Sequence, residues 1–410
     1  MKKAKIGIIG LGKRGYFMLR DTILELNNVE VVALCDEYED RIEDAKRLVS
    51  EKYNGEIYTS TDYKDVLKQK LDAVYIATAW ESHAEIAIAA MRAKIAVGLE
   101  VGGAYNLDEC YDMVRVYEET KTPFMLMENC CYGNRELTAT NLVRAGKLGE
   151  IVFCAGAYGH DLRDEISRGN IIRHYRLRNY TARNCENYPT HELGPIAMLL
   201  GINRGNRMLS LVSLASKARG LEAYINKHQL YKEDETLKGR KFNQGDIVTT
   251  LIKCENGEVI KLTLDTSLPR TYNREFTVRG TEGYYSMATN SVYIDNPDDE
   301  LLSCVDFNKK YLNNELEYED EYLPKRWKEI SEDEKAKGHD GMDYIMFKEF
   351  ISAVIENKPM PIDVYDAASW MCITALSEIS IANNGAPQEI PDFTNGKYKA
   401  RKIQDVLEWK

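Results

Sequence analysis

Short apolar runs alternate with amphipathic stretches through the first third of the chain. The runs at 5–9, 29–34, 74–78, 95–99 and 123–127 are brief, rich in Val and Ile or otherwise apolar, and bounded by polar residues or glycine. Between them, 14–27, 39–52, 84–92 and 107–120 carry apolar residues at helical spacing. Strands alternating with helices at this spacing predict βαβ units, and right-handed crossovers then give a doubly wound parallel sheet.

The rhythm changes after residue 128. A helix is expected at 137–145 and a strand at 151–158, followed by a long polar stretch rich in Arg, Asn and Tyr. Strand patterns return at 248–254, 259–265 and 274–279, with Asn256-Gly257 as a hairpin turn. Helical patterning resumes over 342–383. The expected architecture is an α/β Rossmann domain over 1–128. An α+β domain with a largely antiparallel open sheet follows over 129–410.

Composition narrows the partners. The chain has 410 residues, ample for two cores. Its formal net charge of -11 argues against nucleic acid and anionic membranes, which repel surplus carboxylate. No apolar run is long enough to span a bilayer. Lys2 and Lys3 before an apolar stretch imitate an export signal, but glycines break the stretch and no small-residue cleavage site follows. This segment reads as the first strand, and the expected location is the cytoplasm. The nine cysteines are odd in number and scattered in apolar segments, a reduced pattern. No His, Cys, Asp or Glu set has metal-ligand spacing, so no metal is expected.

The most informative motif is Gly10-Leu11-Gly12-Lys13-Arg14-Gly15, a GxGxxG that follows a strand and opens a helix. The second strand ends in Asp36, at the distance the dinucleotide fingerprint requires. Gly10 permits the tight turn, Gly12 lets backbone approach a pyrophosphate, and Gly15 allows close helix–strand packing. The helix N-terminus offers N–H groups and partial positive charge to the phosphates. Asp36 can accept from the ribose hydroxyls and would repel a 2′-phosphate, with Glu37 reinforcing it. The expected cofactor is NAD.

The Rossmann half followed by an antiparallel domain resembles the Gfo/Idh/MocA oxidoreductases. Ala77-Thr78-Ala79-Trp80-Glu81-Ser82-His83 and Gly98-Leu99-Glu100-Val101 fit that family. Typical members carry Glu-Lys-Pro at the second segment, and the lysine takes part in hydride transfer. Here Val101-Gly102 replaces Lys-Pro, which argues against ordinary sugar dehydrogenation. Asn187-Tyr188-Pro189-Thr190-His191-Glu192-Leu193-Gly194-Pro195, with Gly201-Ile202-Asn203-Arg204-Gly205-Asn206 downstream, narrows the resemblance to glycoside hydrolase family 109, NAD-dependent N-acetylgalactosaminidases. Glu192 stands where that family has glycine. Gly338-His339-Asp340-Gly341-Met342-Asp343 is similar to its GHGGMD, with Asp340 in place of a glycine.

That resemblance implies an oxidation–elimination hydrolysis. C3 of the sugar becomes a ketone, the C2 proton is removed, the leaving group departs from C1, water adds, and C3 is reduced again. The cofactor is regenerated in each cycle, and no flanking carboxylate pair is needed. By family match Tyr158 and Tyr272 are substrate-site tyrosines and Arg176 a substrate-binding arginine, and Tyr158, Tyr188 and His191 are the candidate catalytic residues. Arg14, Trp80, His83, Glu100, Val101, Asn129 and Tyr188 join Gly10, Gly12, Gly15 and Asp36 as cofactor contacts. Tyr188 and His191 stand at i, i+3 and would share a face on a helical turn, with His191 as proton shuttle near neutral pH. Base and acid are not separable from sequence.

Each residue also has a plainer role open to it. His191 could pack in a core, Tyr158 and Tyr272 are two of 26 tyrosines, and Arg176 lies among neighbouring arginines suited to salt bridges. His160, His174 and His228 lie in polar stretches and read as solvent-facing. His339 and Asp343 read as packing residues. The competing function is an NAD-dependent sugar or cyclitol dehydrogenase. A nonenzymatic dinucleotide-binding regulator is a third reading. The expected partner is a small-molecule glycoside, and open sheet faces of this kind suggest a homo-oligomer.

Overall fold

The computed structural model describes residues 3–296 and 302–409. By packing, the chain forms two compact units, one of residues 1–132 with 330–372, the other of 133–329 with 373–410. The segment 330–372 thus packs with the first unit, although it follows the second domain in sequence.

The first unit is built on six parallel strands: β1 (Ala4–Ile9), β2 (Val29–Cys35), β3 (Tyr58–Ser60), β4 (Ala73–Ile76), β5 (Ala96–Leu99) and β6 (Phe124–Leu126). Their order is β3-β2-β1-β4-β5-β6. β4, β5 and β6 are buried throughout, which is why they read as unbroken apolar runs and not as alternation. The strand order reverses between β1 and β4, so the chain leaves both strands beside a crevice at their carboxyl ends, the ligand position of such sheets. The helices Lys13–Asp21 and Trp80–Arg92 begin there.

The first helix is shorter than its pattern suggested. It ends at Asp21, and Ile23–Glu25 tightens into a 3₁₀ turn. The expected continuous helical region 342–383 is two helices, Met342–Glu356 and Val364–Ala382. Asn357 closes the first in the left-handed conformation. Pro359 and Pro361 then remove the N–H donors that would continue it.

The second unit carries β7 (Ile151–Gly159), β8 (Met208–Ala215), β9 (Ile247–Cys254), β10 (Val259–Asp265), β11 (Thr277–Gly280), β12 (Gly283–Ser286), β13 (Ser291–Ile294) and β14 (Gln388–Glu389). They form one sheet in the order β13-β12-β11-β7-β10-β9-β8-β14. It is antiparallel except where β7 runs parallel to β10. β9 and β10 turn about Asn256-Gly257 as the dipeptide predicted. One face is covered by the helix Thr190–Leu199, which packs on β7 and β10. On β8 and β9, Leu214 and Leu251 remain exposed.

Candidate active site

In the first unit the glycine loop is shaped by its neighbours. Gly10 has φ +97°, and a Cβ there would strike the backbone of Ala77. A Cβ at Gly15 would collide with the Gly10 carbonyl, so helix and strand touch at that point. Gly12 differs: the nearest atom to a Cβ there is an Arg41 nitrogen at 3.5 Å. No described protein group demands glycine at 12, whereas a ligand lying close over the backbone would. The helix that starts at Lys13 has Gly12 as its N-cap and no side-chain cap. These features fit a pyrophosphate on the helix N-terminus.

Asp36 does more than end β2. Its carboxylate accepts the N–H of Leu11 at 2.6 Å and that of Tyr38 at 3.0 Å. Arg41 lies 3.6 Å from it and stacks over the Tyr38 ring at 4.7 Å. The acid therefore braces the glycine loop while keeping acceptor capacity for hydroxyl groups. Neither Tyr38 nor Arg41 was singled out in the sequence, because neither belongs to the fingerprint.

Trp80 opens its helix, buried, with its indole in the space a side chain at Gly102 would need, next to buried Val101. His83 is 2% exposed and its Nε2 lies 3.1 Å from the Thr78 carbonyl, so Nε2 carries the hydrogen. Nδ1 is then a buried acceptor with no protein donor. Burial pushes the His83 pKa down to about 4, opposed by the Thr78 bond. The ring is neutral at physiological pH and its open lone pair suits a donor on a bound ligand.

Arg14, Glu100 and Asn129 are joined to one another. Arg14 grips Asp343 with both terminal nitrogens at 2.8 Å and gives its Nε to Glu100 at 2.9 Å. Tyr75 donates to the same Glu100 oxygen, and the Asn129 amide donates to Asp343 at 2.9 Å. His339 reaches Asp343 at 2.6 Å through Nδ1. Burial would raise the Asp343 carboxyl, but the charge of Arg14 and its hydrogen bonds hold it well below the usual carboxylate range. Asp343 is thus the hub that holds Arg14 and Asn129, and Glu100 joins it only through Arg14. Glu128, fully buried beside Asn129, accepts the N–H of Cys130 at 3.0 Å. The sequence reading passed over it.

In the second unit Tyr158, Tyr188 and His191 form one aromatic cluster. The two tyrosine rings lie 4.4 Å apart, Tyr188 to His191 is 4.8 Å and Tyr158 to His191 is 5.4 Å. Tyr158 is the penultimate residue of β7. Pro189 already has helical dihedrals, so Tyr188 and His191 do stand one turn apart as their spacing predicted. Arg176 lies over the Tyr188 ring at 5.3 Å and pairs with Glu165 at 2.5 Å. Burial pushes the Tyr158 phenol up and Arg176 opposes it, leaving it above its ordinary value. His160 is half-buried against Tyr158, not turned to solvent as its polar context suggested. Its ring is 5.8 Å from Tyr158 and 5.2 Å from Tyr272. Tyr272 is exposed, and its hydroxyl accepts from Arg274 at 3.1 Å.

The chain matches two family profiles. The one described as "Oxidoreductase family, NAD-binding Rossmann fold" covers residues 4–127, and "Glycosyl hydrolase 109, C-terminal domain" covers 132–400. A "Glycosyl hydrolase family 109 protein" of Stenotrophomonas maltophilia (strain K279a) is 39% identical over 98% of this chain and 91% of its own. The chain belongs to glycosyl hydrolase family 109. It is an enzyme of that NAD-dependent type, and its cofactor is NAD. An "Alpha-N-acetylgalactosaminidase" of Tannerella forsythia is 35% identical to this family 109 enzyme, over 97% of this chain and 88% of its own. In fold it is similar to a myo-inositol 2-dehydrogenase from Lactobacillus plantarum, with a TM-score of 0.67, 20% identity and coverage of 95% and 100% of the two chains.

Glu192 is buried on the first turn of its helix, and its carboxyl accepts the N–H of Thr263 at 2.6 Å. Among the described residues no helix is long and apolar enough to cross a membrane.

Proposed function

We propose that this family 109 enzyme hydrolyses N-acetylhexosaminides, N-acetylgalactosaminides foremost, by oxidation at C3, elimination, water addition and re-reduction. The observation that carries this reading is the contact set of Tyr158, Tyr188 and His191 under Arg176. Three groups able to exchange protons, beside a buried cation that can hold sugar oxygens, suit chemistry that makes and breaks a C–H bond. The name of the Tannerella relative supports the choice of sugar.

NAD would be held by the Gly10–Gly15 loop, Asp36 and the Trp80–His83 segment, and when bound it supplies reversible hydride exchange with C3. His191 moves the C2 proton. Tyr158, which keeps its proton at neutral pH, donates a hydrogen bond to a sugar oxygen, with Tyr188 beside it. Arg176 binds the acetamido carbonyl or a hydroxyl, and Tyr272 flanks the sugar. The absence of lysine at 101 weighs against a dehydrogenase. The protein is read as a cytoplasmic homo-oligomer, acting on small glycosides and not on nucleic acid or membranes. Exposed Leu214 and Leu251 on adjacent strands support self-association.

The test is an assay of aryl N-acetylhexosaminides with the purified protein and no added cofactor. Release of the aryl group over many turnovers supports the reading. Turnover that requires added NAD and yields NADH in equal amount without cleavage overturns it.

A further inference from the structure

The segment 266–276 joins β10 to β11 and is held far more tightly than an exposed loop needs. Tyr272, at its middle, is 49% exposed. The backbone just after it is laid against the end of β7. Asn273 and Gly159 exchange N–H···O bonds at 3.0 and 3.2 Å, and the Arg274 carbonyl accepts the N–H of Ala157 at 2.6 Å. Arg270 ties the segment to itself. Its two terminal nitrogens donate to Asp265 at 2.7 Å and to Glu275 at 3.0 Å, and its Nε donates to the Thr271 carbonyl at 3.0 Å. This guanidinium fills the place of a side chain at 159, because a Cβ on Gly159 would fall 2.1 Å from its central carbon. Glu275 is kept at φ +50°, a left-handed conformation that costs free energy in any residue but glycine.

The Tyr272 side chain has an anchor of its own. Arg274 donates from Nη1 to the Tyr272 hydroxyl at 3.1 Å and from Nε to Glu136 at 2.6 Å. Glu136 lies on the helix Asn134–Arg144 and is 1% exposed. A carboxylate buried that deeply needs a cation, and Arg274, itself largely buried, supplies it. The buried charge fixes the guanidinium, and the guanidinium fixes the phenol. The Tyr272 ring also meets the edge of His160, with centroids 5.2 Å apart, and His160 Nδ1 lies 3.4 Å from the Tyr158 hydroxyl.

Exposed ion pairs hold a loop weakly. Two largely buried arginines on either side of one exposed tyrosine instead mark a side chain that must not move. We propose that Arg274 is a positioning residue for substrate binding. Backed by Glu136, it holds Tyr272 beside His160 and sets the Tyr272 hydroxyl as a donor to a sugar oxygen. A guanidinium carries donors only, so the phenol oxygen takes a hydrogen from Arg274 and the phenol's own hydrogen is the one it offers to the ligand. The cation on its oxygen polarises that O–H and makes it a better donor. This rests on the functional reading above, which sets Tyr272 at the sugar.

The experiment reads kcat and KM of the NAD-loaded enzyme on an aryl N-acetylhexosaminide for the parent, Arg274→Gln, Tyr272→Phe and the double variant. Calorimetry with free N-acetylgalactosamine reads binding without turnover. Tyr272→Phe keeps the ring and removes only the hydroxyl. Expected is a KM raised about tenfold in Tyr272→Phe and by a similar factor in Arg274→Gln, with kcat within a few-fold of the parent and the sugar bound correspondingly more weakly. The double variant should be no worse than either single one, because both remove the same contact. An Arg274 that served stability alone would leave the two effects independent. Factors that multiply in the double variant, or a parental KM and sugar affinity in either single variant, overturn the proposal. If Arg274→Gln does not fold because Glu136 is left unpaired, Glu136→Gln combined with Arg274→Gln removes both charges and takes its place in the comparison. A parent that binds the sugar but cleaves no aryl glycoside sinks the functional reading, and the calorimetric factors then decide the role of Arg274. A parent that neither binds nor cleaves overturns both.

Discussion

Asp36 Oδ2 accepts the backbone N–H of Leu11 at 2.6 Å, so the acid we propose to discriminate between dinucleotides also braces the loop that would hold their phosphates. The two tasks separate by substitution. Asp36→Asn keeps an oxygen acceptor and removes the charge that repels a 2′-phosphate. Asp36→Ala removes both and leaves a buried N–H unmatched, at a cost of about 1–3 kcal/mol. Binding titrations should show NADP gaining on NAD in both variants, while melting curves show the larger loss of stability in Asp36→Ala. A parent protein that binds NADP as tightly as NAD contradicts this role for Asp36.

The first unit should lose stability on the acid side. His83 has its folded pKa lowered from 6.5 to about 4. Above 6.5 the ring is neutral folded and unfolded, and the difference vanishes. Below 6.5 the unfolded chain takes up a proton that the folded ring refuses, so stability falls as pH drops toward 4, by about 3 kcal/mol. His83→Gln should flatten that slope in melts recorded across the window. A variant slope as steep as the parent's would show that other groups set it.

Asp343 acts in the same direction but at lower pH, because its carboxyl is held below the usual range. Its contribution is present above the ordinary carboxylate pKa and is lost as pH falls through the folded value. Asp343→Asn breaks the grip on Arg14, a change worth on the order of 2 kcal/mol. Breaking a fully buried pair costs more, but the Arg14 side chain keeps 28% exposure. NAD should also bind more weakly, since Arg14 and Asn129 lose their common anchor. Calorimetric binding of NAD unaltered in a stable Asp343→Asn would contradict the hub.

His191→Ala and Tyr188→Phe should each lower turnover by about a hundredfold or more, the usual contribution of a positioned proton-transfer group. Far-ultraviolet circular dichroism should show the fold retained. Near-parental activity in both folded variants would remove them from the mechanism.

The first unit was legible because its signals are local. Fully buried strands, a glycine turn with its acid at fixed spacing, and alternating helices leave little else to build. The Tyr188–His191 stretch was legible as a motif and as a helical turn. The hub at Asp343 was not, because it joins residues as distant in sequence as Arg14, Asn129 and Asp343, and no periodicity reports such a contact. β8 escaped notice because Met208–Ala215 mixes serine with apolar residues on both faces, and β12 and β13 because short, tyrosine-bearing strands resemble loop. His160 was misjudged for a similar reason: its neighbours in sequence are polar, while its neighbours in space are Tyr158 and Tyr272.

The central claim is that the glycosidic bond is cleaved by way of a broken C2–H bond. Hydrolysis of an aryl N-acetylhexosaminide in heavy water, followed by the proton spectrum of the released sugar and by absorbance at the NADH band, tests it most directly. The predicted result is a product carrying deuterium at C2, with no stoichiometric build-up of NADH. Cleavage that leaves C2 unlabelled, or NADH accumulating without cleavage, would contradict the account.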